Sequence, residues 1–290
     1  MNTHQRFTLT QSQKMMVFIL SMSLYGLSNM ITELIPKFYL GPIELSVEYF
    51  AFIPLSLAMI FHPLYAAIGA SLGEVIFGEI MLGQFGGIGE LEKFIAFSLA
   101  IFIAGVSVRN PENKKQVALG AMVGVILHQF ISMSVDILKV WVGVEELEAV
   151  EGLAESVVVI EGLAFLNDVL FSGILFALLP TLYLVPRLYG KIEPLLGMKP
   201  RKNDLQLGLS DIVTVPFVLA TVVLGSLSFL FEYLSETTFG WEWEAPLVDR
   251  FGEWIVFPMM AIPVIVALVV VSYLVKRKGR KDTDGYSEVV

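Results

Sequence analysis

Cysteine is absent from the 290 residues of this chain, and histidine occurs three times. The first absence excludes disulfides and thiolate metal sites and leaves the redox compartment unread. His4, His62 and His128 are too scattered for a zinc or haem motif, so no metal and no other cofactor is expected. Charge is scarce as well: Asp, Glu, Lys and Arg make up 16% of the chain, against about 25% in a soluble domain. There is no His-Glu-x-x-His pair, no serine nucleophile with a base partner and no nucleotide-binding motif. The chain is therefore not expected to be an enzyme, to use ATP by itself or to bind nucleic acid.

What is abundant is apolar sequence, 56% of residues with a mean hydropathy of +0.73. Runs of helix-spanning length predict an all-α integral membrane protein with about eight transmembrane helices, at 15–35, 47–61, 63–82, 94–108, 117–140, 165–188, 212–233 and 254–275. The polar leader 1–14 enters the first run with no small-residue cleavage site, which predicts an uncleaved first helix. Residues 1–189 read as a six-span core, 190–211 as a cytoplasmic linker, 212–275 as two additional spans and 276–290 as a basic tail.

With the N-terminus inside, fifteen of the nineteen Lys and Arg residues fall on the cytoplasmic side and four (Lys37, Lys93, Lys139, Arg250) outside. That bias predicts a multi-pass cell-membrane protein with both termini cytoplasmic. Acids gather on the other face, from Glu145 to Glu161 and from Glu232 to Glu253. Leu147, Val150, Ala154 and Val157 recur there at helical spacing and predict a short amphipathic helix on the outer surface. Trp141, Trp241, Trp243 and Trp254 all fall at outer boundaries, where indoles prefer to sit.

The stretch 41–93 organises the rest. Its two apolar runs hinge at His62-Pro63, and proline suits the first turn of a restarted helix. Its second run carries Ala66, Gly69, Ala70 and Gly73 and then Glu74 and Glu79. Small residues let membrane helices approach closely, and an acid in hydrocarbon calls for a reason. The fifth span repeats the theme, with Gly120, Gly124, His128, Ser132 and Asp136 at steps of four. The loop Gly83-Gln84-Phe85-Gly86-Gly87-Ile88-Gly89 lacks the Lys-Ser/Thr ending of a phosphate loop and reads as a flexible lid.

Counting along the helices places Glu33, Glu79, Asp136 and Asp168 near the outer ends of four spans, with Glu74 and His128 nearer the middle. One reading is an outward-facing cavity whose acidic lining favours a cationic or donor-rich ligand. The plainer reading is that acids near helix ends reach headgroup water, although Glu74 lies too deep for that. Expected ligand contacts are Glu33, Glu79, Gln84, Asp136, Asn167 and Asp168 for polarity and Phe85 and Trp141 for stacking. Glu74 and His128 read as a structural or coupling polar pair.

Gly41-Pro42, Leu45-Ser46, the run Phe52-Ile53-Pro54-Leu55, the His62-Pro63 turn and the run from Gly69 to Glu74, in that order, resemble the substrate-binding S components of energy-coupling factor vitamin transporters. His62-Pro63 stands where that family has a Gly-Pro turn, and Gly73-Glu74 where it has Gly-Asp. The resemblance covers roughly residues 14–190. It implies a six-helix S-component-like core and a vitamin pocket near the outer surface, closed by the first and third outer loops. It also implies docking on an energy-coupling membrane subunit that carries ATPases, through small residues of the first helix. Here that helix offers Ser21, Gly26 and Ser28.

The expected function is thus capture of a small vitamin-like or cationic nutrient from the outside, for ATP-driven import by partner subunits. One alternative is an ion-coupled secondary transporter working through Glu74, His128 and Asp136. Another is a non-transporting scaffold or assembly factor whose acidic outer loops bind a protein partner.

Overall fold

In the computed structural model, helix α1 (Gln11–Glu33) lies along helix α3 (Pro63–Gly73) with almost nothing between the two backbones. The structure describes residues 9–200, apart from 143–155 and positions within 34–37, 41–48 and 84–89. Both extra spans and the basic tail, with the amphipathic stretch before Val157, lie outside the described residues. A methyl group on Gly69 would strike the carbonyl oxygen of Phe18, and one on Gly73 that of Met22. Gly26 in turn meets Gly73 and Phe77, and the Ser21 hydroxyl donates to the Ala66 carbonyl at 2.7 Å. The G-x-x-x-G spacing is therefore used for backbone contact, as expected where lipid supplies no hydrophobic drive between helices. Ser21, Gly26 and Ser28 are all buried, so the small residues expected to dock a partner are already covered by this chain.

Residue numbers rise together along that contact, from Phe18 against Gly69 to Asn29 against Gly78, so α1 and α3 run parallel. The chain between them must return across the bundle. It does so through a two-stranded hairpin (β1 Phe38–Leu40, β2 Ile43–Leu45), the irregular pair Tyr49-Phe50 and the helix α2 (Phe52–Ile60). The second predicted span is accordingly not a full helix. Nine residues give about 14 Å, half the thickness of a hydrocarbon core. Residues Pro54 through Ile60 are buried without a break, because this element threads the interior and has no lipid-facing side. The turn at His62-Pro63 is as expected, with His62 extended and Pro63 opening α3.

Past Gly73 the third span continues as a π-helix, Glu74–Ile80, in which Met81 N–H donates to the Ile76 carbonyl five residues back at 3.0 Å. Gly83, in the left-handed region at φ 80°, ends it. Helix α4 (Glu90–Ser107) returns antiparallel, its Ser98 bonded to Ser71 at 2.8 Å. Helix α5 (Lys114–Val142) packs back on α4, where a methyl on Gly124 would lie 2.8 Å from Ala104 Cβ. The sixth traverse is α6 (Val157–Asn167), a second π-helix (Asp168–Leu178) and α7 (Leu179–Leu188). It begins eight residues before the predicted start at 165, since Val157–Ile160 is apolar enough to extend it. Glu161 therefore sits in a helix and not in an outer loop.

The chain ends its described course in a short turn, α8 (Ile192–Leu195). The first part of the presumed linker is thus folded, and Gln13 Nε2 donates to the Gly197 carbonyl at 2.7 Å. That bond joins the start of α1 to the end of the sixth traverse. Lys14, Arg109, Lys114, Lys115 and Arg187 share this end of the bundle, while Lys93 and Lys139 belong to the far end.

Among the described residues, four helices are long and apolar enough to cross a membrane: Gln11–Glu33, Pro63–Ile80, Lys114–Trp141 and Val157–Leu188. Outward-facing residues are large and apolar, including Leu119, Ile126 and Phe130 on α5 and Leu166, Leu170, Leu175 and Leu179 on the sixth traverse. Inward-facing ones on the same traverse are small: Ser172, Gly173, Ala177 and Thr181. Among the described residues the architecture is that of a helical membrane protein with one short hairpin.

The glycine contact predicts a sharp contrast between two substitutions. Gly73→Val should destabilise the bundle by about 1–3 kcal/mol, the usual cost of overpacking. Gly162→Ala, where nothing lies within 4 Å of the added methyl, should be neutral or stabilising by up to about 1 kcal/mol. Thermal unfolding of the purified protein in detergent checks both; equal effects would contradict the close approach.

Candidate functional site

A line of aromatic side chains crosses the bundle interior and joins five elements. Tyr25 of α1 stacks on Phe97 of α4, with centroids 4.8 Å apart and planes 18° apart. Phe97 meets the His128 imidazole of α5 edge-on at 5.0 Å. His128 meets Tyr49 edge-on at 6.0 Å, and the Tyr49 hydroxyl reaches the Asp168 carbonyl oxygen at 3.5 Å. All these ring separations fall in the range where aromatic pairs attract one another. The neighbouring Phe50 packs on Phe176 at 5.7 Å, so this segment meets the second π-helix through the Tyr49 hydroxyl and the Phe50 ring.

The two π-helices flank this seam, and each opens with a carboxylate, Glu74 and Asp168. Glu74 and Tyr49 are the ionisable groups that act electrostatically on buried Tyr25. A π-helical stretch inserts an extra residue into the turn and is frequently found at functional sites. Asp168 lies eleven residues inside the helix that begins at Val157, about 16 Å from its start. The earlier helix start thus makes Asp168 an interior residue and not an end-of-span one.

Two polar atoms in the seam are sealed from solvent and lack a hydrogen-bond partner, His128 Nδ1 and Asn167 Oδ1. Asn167 Nδ2 donates to the Asp168 carboxylate at 3.3 Å. That contact fixes the amide orientation, since a carboxylate accepts and does not donate. Such atoms are rare in native interiors and each calls for an explanation.

The other expected ligand residues lie towards the far end. Glu79 is paired with Lys93 at 3.3 Å and Asp136 with Lys139 at 3.1 Å, so each of these acids has a cation beside it. Glu33 closes α1 and is exposed. Trp141 is 67% exposed at the end of α5, a position for a headgroup-level indole and not for stacking on a ligand inside the bundle. Phe85 is half-buried, and Gln84 lies outside the described residues. Among the described residues no three His, Asp or Glu side chains gather to hold a metal ion. Sequence reasoning missed Tyr49 and Phe97, whose only signal is their ring chemistry in a chain of 21 Phe and nine Tyr.

The fold and seam define a helical membrane protein with a polar, aromatic interior and no recognisable catalytic machinery among its described residues. A model of a family of unknown function, DUF8171, matches residues 16–283, and the chain belongs to that family. No curated protein and no solved structure matches the chain.

Because His128 is gripped by rings on both sides, its shape should matter more to stability than its polarity. His128→Ala should lose about 3 kcal/mol to the cavity it leaves. His128→Phe, which keeps the ring contacts and removes a sealed unpaired nitrogen, should stay within about 1 kcal/mol of the parent. Thermal unfolding of both variants in the same detergent checks the ordering.

Proposed function

We propose that this protein is a membrane-embedded substrate-binding subunit that captures a small vitamin-like nutrient from the outer side for ATP-driven import by partner subunits. The observation that carries the reading is the seam of Tyr25, Phe97, His128 and Tyr49 between two π-helices headed by Glu74 and Asp168. Flat rings and a few convergent polar groups are what a small-molecule site in a bundle consists of. The absence of a nucleotide-binding motif from the sequence makes a separate energy source necessary, and the resemblance to S components names one. The basic residues orient the chain with its termini in the cytoplasm, so the acidic end of the seam faces the supply of nutrient. Eight spans, six of them the binding core, complete this reading.

The ligand is neutral or weakly basic. Glu79 and Asp136 already carry lysine counterions, which removes much of the attraction for a strong cation. The line of proton-bearing groups Glu74, Tyr25, Tyr49 and His128 favours one second reading, proton-coupled secondary transport.

Mass spectrometry of the gently solubilised protein separates these. Capture predicts a small heteroaromatic compound released on denaturation and a co-purifying membrane subunit with ATPases. It also predicts uptake that survives an ionophore. Uptake abolished by the ionophore and independent of any ATPase would favour the secondary transporter. A protein partner with no small molecule would favour the scaffold.

A further inference from the structure

We propose that His128 and Asn167 are the specificity-determining pair of this site, and that they select a planar heteroaromatic ligand bearing a ring or exocyclic N–H. The proposal rests on the capture reading and deepens it. Asn167 sits at the junction of α6 and the second π-helix, with its Nδ2 bound to the Asp168 carboxylate. Its Oδ1 is left sealed and unpartnered. That oxygen only accepts, so whatever completes it must donate. On α5, His128 Nδ1, whose ring meets Tyr49 edge-on, is sealed and unpartnered in the same way. An imidazole nitrogen donates or accepts according to its tautomer, so it answers whichever group lies beside the ligand's N–H.

Tyr49 touches His128 and Asp168, the residue that follows Asn167. Its ring meets His128 edge-on at 6.0 Å, and its hydroxyl reaches the Asp168 carbonyl at 3.5 Å, the outer limit of a hydrogen bond. It belongs to neither a helix nor a strand. In this proposal a ligand takes the place of the Tyr49 ring, a ring replaced by a ring. Phe97 stands on the other side of His128, stacked in turn on Tyr25. Both rings provide flat faces, and Glu74 adds negative charge that disfavours an anionic ligand. Shape and polarity together select a flat, nitrogen-rich ring that is neutral or protonated.

Equilibrium dialysis of the full chain in nanodiscs tests this with adenine, cytosine and nicotinamide as planar probes. Indole serves as a ring with a single donor, and choline as a cation without a ring. At least one planar probe should bind and choline should not, with indole weaker. For the probe that binds, His128→Phe and Asn167→Leu should each weaken binding about tenfold, the loss expected from an unpaired polar group. The analogue of that probe methylated at its N–H should bind weakly to the parent protein and lose nothing further in Asn167→Leu. This ligand-side comparison needs no variant to detect the first effect. A planar probe that binds both variants and the parent equally would overturn the pair's role while leaving capture intact. Binding of choline in preference to every planar probe would overturn the ligand class. If no probe binds and denaturation releases no small molecule, the capture reading itself falls.

Discussion

The close contact of α1 with α3 is the constraint from which the remaining architecture follows. In hydrocarbon, apolar side chains gain little by leaving lipid for one another, so helices associate through backbone approach and hydrogen bonds. Gly69 and Gly73 press on the Phe18–Met22 turn of α1, and Ser21 bonds to the Ala66 carbonyl. Because this contact is parallel, the intervening chain has to recross the bundle. It recrosses inside, which explains why α2 is short and buried all round. The same contact sets Gly26 against Gly73. It thereby places the adjoining residues, Tyr25 and Glu74, within electrostatic reach of each other.

The π-helices are a second consequence of sequence acting on packing. In the sixth traverse the outward apolar residues step by four from Leu166 to Leu170, by five to Leu175 and by four again to Leu179. The five-residue step falls within the π-helix Asp168–Leu178. The wider turn absorbs the extra residue, and the lipid-facing stripe stays continuous while small residues stay on the inner face. A regular helix through the same residues would rotate part of that stripe into the core. Glu74 and Asp168 stand where the two helices change pitch.

Much of this was legible in the sequence, because small residues and prolines have few alternative uses in a membrane helix. The Gly69/Gly73 and Gly120/Gly124 spacings and the His62-Pro63 restart all mark real contacts and turns. The length of α2 was not legible, since an apolar run reads alike whether it faces lipid or threads a protein interior. Nor was the start of the last described traverse, where Glu155 and Glu161 suggested a loop although the apolar residues between them continue a helix. The seam was half legible. Tyr25, Glu74, His128, Asn167 and Asp168 stand out as polar groups in apolar runs. Phe97 does not, and Tyr49 lies in an irregular segment with no periodicity to place it.

Polar groups inside this bundle resolve their burial to different degrees. Ser21, Ser71, Ser107 and Thr32 close their hydroxyls onto nearby carbonyls and so resolve their own burial. Ser56 and Thr181 leave a sealed hydroxyl oxygen unpartnered, a modest penalty for a small neutral group. An imidazole and an amide are more demanding, and His128 leaves its Nδ1 open beside Tyr49 while Asn167 leaves its Oδ1 open beside Asp168. Real proteins break local rules of this kind chiefly at functional sites. Two open polar atoms along one run of aromatic rings are the physical argument for placing a ligand there.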